Sequence, residues 1–223
     1  MSMVRDIFTQ TLQFIKQHQD GETAELLRYR GLQYNMMYGV SSAILYSYAK
    51  KLEKNQELAD MLWKEDFREA KLLALMLSDP NTISDEALEN MVCSFTNHEL
   101  VENASLYLLP YVPNPIEKAY NWIEDDREFV KMTGYMLVNK IASRLKNVNF
   151  KQLAKFVPLY ERDFTHSSFF VRNAVANAFQ EVAFRKPGLK GHIVDATKRV
   201  LQHNIGTEFE LQAQDMLHVL NYC

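Results

Sequence analysis

Four stretches of this sequence can be laid over one another, and each has the apolar spacing of a helix with one buried face. They begin at Phe67, Glu99, Glu128 and Phe169, so their starts lie 32, 29 and 41 residues apart. Leu72, Ala104, Thr133 and Ala174 are small or apolar residues at one shared offset. The second stretch is the clearest: from Asn97 to Pro110, Leu100, Val101, Ala104, Leu108 and Leu109 form one stripe, following the i, i+3, i+4, i+7 spacing of an amphipathic helix. A short helix cannot bury such a stripe by itself, so recurrence implies stacking of like on like.

The remaining sequence fits that reading. Only 7 glycines and 6 prolines punctuate 223 residues, and alternating strand patterns are hard to find, so the chain is expected to be all-α. The patterns predict helices over about 3–18, 23–29, 42–54, 58–63, 67–77, 85–93, 97–110, 116–122, 126–144, 150–162, 168–184, 189–203 and 207–221. Ser41 or Ser42, Asp66 and Ser84 stand where N-caps are needed, because their side-chain oxygens can accept from the first free N–H groups. A degenerate period near forty residues predicts an α-solenoid of HEAT-like repeats, one domain over 1–223 with a concave side.

Cys93 and Cys223 are the only cysteines, which points to a reducing cytoplasm rather than a disulfide-built secreted fold. No apolar run is long enough to cross a membrane. The net charge of −3 hides an uneven distribution. Residues 1–126 hold 11 Lys and Arg against 20 Asp and Glu, a net of −9. Residues 127–199 hold 14 against 5, a net of +9, and residues 200–223 hold none against 3. Such a basic block suits phosphates, because bound cations release condensed counterions; a solvated helical surface is the plainer explanation.

The repeat register carries one further expectation. Glu102, Lys131 and Arg172 each follow a valine, and equivalent offsets in stacked repeats fall in a row. A carboxylate flanked by two cations would then line one edge of the stack; salt bridges between repeats would account for the same residues. His98 and Glu102 lie at i, i+4 and share a helix face. Arg185, Lys186, Lys190, Lys198 and Arg199 add cations late in the chain, some at the start of a helix whose dipole favours anions. The six histidines show no metal-binding spacing, and no phosphate loop or nucleophile motif is present, so neither metal nor cofactor is expected.

Several of these stretches resemble the DNA alkylation repair family of HEAT-repeat DNA glycosylases. The resemblance runs through Tyr38-Gly39-Val40, Glu57 to Trp63, Glu69-Ala-Lys71-Leu-Leu-Ala-Leu75, His98-Glu-Leu-Val-Glu102, Trp122, Phe129-Val-Lys131 and Phe170-Val-Arg-Asn-Ala-Val-Ala-Asn177. It implies an α-solenoid that grips duplex DNA and removes cationic alkylated purines without metal. A carboxylate near the sugar would stabilise positive charge as the base departs, and the resemblance places Glu102 there, with His98 beside it. Lys131, Arg172, Arg185, Lys186, Lys190, Lys198 and Arg199 would hold phosphates. The chain also departs from the family pattern. Glu102 stands for an aspartate, His98 and Asn177 for tryptophans, and Lys131-Met132 for an arginine pair. Base excision is one expectation; a non-catalytic scaffold for DNA or for a protein partner is the other.

Overall fold

The computed structural model describes residues 2–144 and 148–222. Its chain gathers into two compact units, Met1–Pro113 and Asn114–Cys223. Among the described residues all regular structure is helical, in fourteen α-helices.

The first unit holds α1 (Ser2–Gln17), α2 (Gly21–Tyr29), α3 (Ser42–Ala49), α4 (Gln56–Lys64), α5 (Arg68–Leu77), α6 (Asp85–Cys93) and α7 (His98–Tyr107), then a 3-10 turn at Leu109–Tyr111. Helix α5 is its centre. It packs on α4 and lies against both α3 and α7, and every one of its residues except Lys71 is buried. Side chains of Asn55, Ser84 and Asn97 cap α4, α6 and α7, accepting from the N–H groups of Leu58, Ala87 and Leu100. Asp66 does not cap α5 as expected. Its carboxylate accepts from Asn35 instead, and the free N–H of Arg68 donates to the Met36 carbonyl at 3.0 Å. The loop before α3 thus supplies the cap, and no local sequence signal announces that.

That loop is held at Gly39. Its φ of +80° is a left-handed conformation, and a Cβ there would stand 1.9 Å from the Asp20 carbonyl oxygen. Only glycine fits both demands. The third expected helix ends at Ala49 rather than near residue 54.

The second unit holds α8 (Pro115–Ile123), α9 (Glu128–Arg144), α10 (Phe150–Ala154), α11 (Val157–Asp163), α12 (Phe169–Arg185), α13 (Pro187–His203) and α14 (Glu210–Tyr222). Helix α9 packs on α8 and on α12, while α13 lies against α11, α12 and α14. Gly134 lets α8 and α9 approach closely: a Cβ would sit 2.8 Å from the Ala119 carbonyl. The helix expected over 150–162 is broken into α10 and α11. Pro158 is the cause, because it has no N–H to offer the preceding turn.

The helix starts correct the repeat register. Helices α5, α7 and α9 begin at Arg68, His98 and Glu128, thirty residues apart each time. That aligns Lys71, Val101 and Lys131 with one another, and Leu72, Glu102 and Met132 with one another. Glu102 and Lys131 are therefore one position out of step, not equivalent. The alignment also exposes a repeated device. Lys71 donates to the Trp63 carbonyl and Lys131 to the Ile123 carbonyl, each reaching back eight residues. Both carbonyls lie at the end of the preceding helix, where the backbone dipole favours a cation.

Candidate nucleic-acid interface

Helix α7 carries the candidate carboxylate. Asn97 caps it and starts it at His98, so His98 and Glu102 stand one turn apart. His98 is half-buried and Glu102 is exposed, whereas the aligned Leu72 and Met132 are buried. Glu102 makes no ion pair among the described residues. It is a solvated charge on an otherwise apolar offset.

Glu99, three residues earlier on the same helix and buried, behaves differently. Both of its oxygens accept from Arg68, at 2.6 to 3.1 Å, and one also accepts from the Tyr34 hydroxyl at 2.9 Å. Arg68 is 2% exposed. It further donates to the Val40 carbonyl and to Glu69. Glu69, in turn, accepts from the backbone N–H groups of Tyr38, Gly39 and Val40 at 2.9 to 3.2 Å. Burial works against the Arg68 charge, but hydrogen bonds and the charges of Glu99 and Glu69 outweigh it and hold its pKa above the usual value. Burial, then Glu99, pushes the Tyr34 hydroxyl well above its usual range. This network braces the Tyr38–Val40 loop against α5 and α7. Sequence reasoning missed it, although the signal existed: glutamates recur thirty residues apart, at the second position of α5 and of α7.

In the second unit the candidate cations divide into two groups. Lys131 is buried; besides the Ile123 carbonyl, its ammonium lies 3.6 Å from Asp163. Asp163 also accepts from Tyr135 at 2.6 Å and from Arg162 at 2.8 Å. Burial raises its pKa, but the hydrogen bonds from Arg162 and Tyr135 and the charge of Lys131 bring it below the ordinary carboxylate value. Lys131 is thus spent inside the fold and presents no ammonium to a ligand. Arg172 is half-buried, donates to the His166 and Ser167 carbonyls, and lies over the Phe209 ring. Arg185 pairs with Glu181, Lys198 with Asp195, and Arg199 grips both oxygens of Glu161. Lys186 and Lys190 are half-buried at the start of α13.

Lys140, Lys151 and Lys155, which were not singled out from the sequence, share one property with Lys186, which was. Lys140, Lys151, Lys155 and Lys186 make no ion pair among the described residues. Lys155 lies 4.9 Å from the centre of the Tyr120 ring. Lys140 stands with Asn139, Asn177 and Gln180 around a hollow of about 420 Å³ between α9 and α12, where Asn139 donates to the Asn177 carbonyl at 3.0 Å. The unit boundary also reduces the charge contrast. Residues 114–223 hold 15 Lys and Arg against 12 Asp and Glu, a net of +3, and residues 1–113 hold 10 against 16, a net of −6. Glu124 and Asp125, which the sequence blocks assigned to the acidic half, pair with Arg162 and Arg127.

Among the described residues no three His, Cys, Asp or Glu side chains cluster as a metal would require, and no helix is long and apolar enough to cross a membrane. Cys93 is half-buried; Cys223 lies outside the described residues.

The chain is similar to solved structures. One is described as belonging to a new family of proteins related to the HEAT-like repeat DNA glycosylases with affinity for branched DNA structures. It matches with a TM-score of 0.77 and 20% identity, over 86% of this chain and 83% of that one. The chain is accordingly an all-α protein of HEAT-like repeats. A designed armadillo repeat protein matches at 15% identity over 95% of this chain and 100% of its own, with a TM-score of 0.41. No curated protein matches the chain. The model of the family described as DNA alkylation repair enzyme matches residues 11–205, and with nearly the whole repeat array inside that match, the chain belongs to this family.

Proposed function

We propose that this protein binds DNA through its phosphates, and that it favours branched DNA over linear duplex. The family match over residues 11–205 carries this reading. Two further observations support it. The protein of shared fold is described as having affinity for branched DNA structures, and the second unit keeps Lys140, Lys151, Lys155 and Lys186 free of ion pairs among the described residues. Arg199, Arg185 and Lys198 join only by exchanging an acidic partner for a phosphate, which is inexpensive at an exposed surface.

Four uncommitted lysines give a slope of log affinity against log salt of roughly −4, at about 0.9 per neutralised phosphate. Titration of a four-way junction and of a linear duplex of equal length tests this, at several salt concentrations. Tighter junction binding with a steep slope supports the proposal. A flat slope, or no binding to either DNA near physiological salt, overturns it.

Glu102 favours a second reading, excision of an alkylated purine. It is an exposed, unpaired carboxylate where its aligned neighbours are buried and apolar. Fixed near a sugar, such a charge stabilises the positive ring left as the base departs. His98, one turn earlier, would lie beside it. Release of base from N-methylpurine DNA, lost in Glu102→Gln, supports this; an unchanged rate in that variant removes Glu102 from the chemistry.

A further inference from the structure

One hollow in the first unit is not used by any of the residues discussed so far. It encloses about 690 Å³ at the C-terminal ends of α3, α5 and α7. Tyr46, Tyr107 and Tyr111 line it, with Lys50, Lys54 and Leu106. The Tyr46 and Tyr107 rings lie 5.5 Å apart with 30° between their planes. Tyr46 is 38% exposed and Tyr111 is 53% exposed, so aromatic surface is open to a ligand.

Three helix C-termini would ordinarily repel an anion. Here two lysines oppose that repulsion, against one carboxylate in the lining, Asp79. Lys50 follows α3 and stands 4.8 Å from the centre of the Tyr46 ring. Lys54 donates to the carbonyl of Tyr107, the last residue of α7, at 3.2 Å. Burial holds the Lys54 ammonium below its usual pKa, opposed by the charge of Asp79. The Lys54 side chain is nonetheless exposed, so it can meet an anion from solvent. Flat aromatic faces beside cations suit a planar base joined to a phosphate, the pairing that binds single strands without reading their sequence.

From this we infer that the hollow takes one unpaired nucleotide of a DNA strand, its base on the tyrosine faces and its phosphate against Lys50 and Lys54. This deepens the DNA-binding reading above and rests on it. Branched and frayed DNA supply such nucleotides; a closed duplex does not. Leu106 lines the hollow one turn beyond Glu102 on α7, about 6 Å along the helix axis, so an occupant would place its sugar-phosphate within reach of that helix.

The test uses the full chain and two DNAs, a blunt duplex and the same duplex with a short overhang that carries 2-aminopurine. The wild type should bind the overhang DNA roughly tenfold more tightly than the blunt one, as one stacked base contributes, and should quench the 2-aminopurine. Tyr46→Leu and Lys50→Gln alter exposed side chains and should each remove the preference and the quench while blunt-duplex affinity stays the same. Thermal melts establish that both variants fold. Preference retained in both variants, or absent from the wild type while duplex binding persists, overturns the nucleotide pocket alone. Failure to bind any DNA overturns this inference and the parent reading together. Tight binding of free dAMP with no overhang preference would assign the pocket to a free nucleotide and overturn the strand.

Discussion

Arg68 and Glu99 face each other across α5 and α7, and the guanidinium meets both carboxylate oxygens at 2.6 to 3.1 Å in a nearly dry interior. Thirty-one residues separate them in the chain. Their pairing ties two successive repeats together, and through Glu69 and Tyr34 it also fixes the loop that enters α3.

Breaking that pair should be costly. Glu99→Gln leaves the Arg68 charge buried with weaker compensation, and the loss of a buried partner is of order 3–5 kcal/mol. Urea unfolding of Glu99→Gln, Arg68→Met and the double variant would show it. The double variant should be less destabilised than the two single losses added, because both members of the pair are then gone.

The loop beside the pair gives a sharper geometric prediction. Gly39→Ala must meet the Asp20 carbonyl and hold a positive φ, so it should cost about 1–3 kcal/mol. Gly31 also has a positive φ, but a Cβ there meets nothing within 4 Å, so Gly31→Ala should cost less. Comparing the two thermal midpoints separates steric contact from backbone conformation.

Asp163 links the second unit to pH. Its folded pKa is below the ordinary carboxylate value despite burial, through Arg162, Tyr135 and Lys131. It therefore contributes stability that is present above about pH 4, the unfolded carboxylate value, and is lost as pH falls through the lower folded value. Thermal midpoints should be flat in pH near neutrality and drop below about pH 4. In Asp163→Asn the neutral-pH midpoint should fall and the acid drop should shrink.

Two lysines should respond in opposite ways. Lys131 is buried against Asp163 and the Ile123 carbonyl, so Lys131→Met should lower stability and leave the salt slope of DNA binding unchanged. Lys151 is exposed and makes no ion pair among the described residues. Lys151→Ala should leave the melting temperature unchanged and reduce the salt slope by about 1 if it holds a phosphate. Binding isotherms at four or more salt concentrations, beside melts, resolve the two.

Glu102→Gln completes the set. An exposed side chain without an ion pair should alter stability by no more than about 0.5 kcal/mol, so any loss of base release in that variant would report on chemistry rather than folding.

The chain's own order of residues determined its helices. Apolar spacing located nearly all of them, Ser41, Ser84 and Asn97 capped where caps were needed, and Pro158 stood where a helix had to break. These are local effects, decided within a few residues. The site was legible only in outline. Glu102 and His98 shared a face of α7 as their spacing required, but the alignment of Glu102 with Lys131 was one position out, and Lys131 lay inside the fold. Tertiary structure alone decided which charges were spent on distant partners. Arg199 meets Glu161, Arg162 meets Glu124, and Arg68 meets Glu99 across 38, 38 and 31 residues. An ion pair between residues this far apart forms only where packing brings two helices together, and local periodicity carries no record of which distant charge will stand opposite.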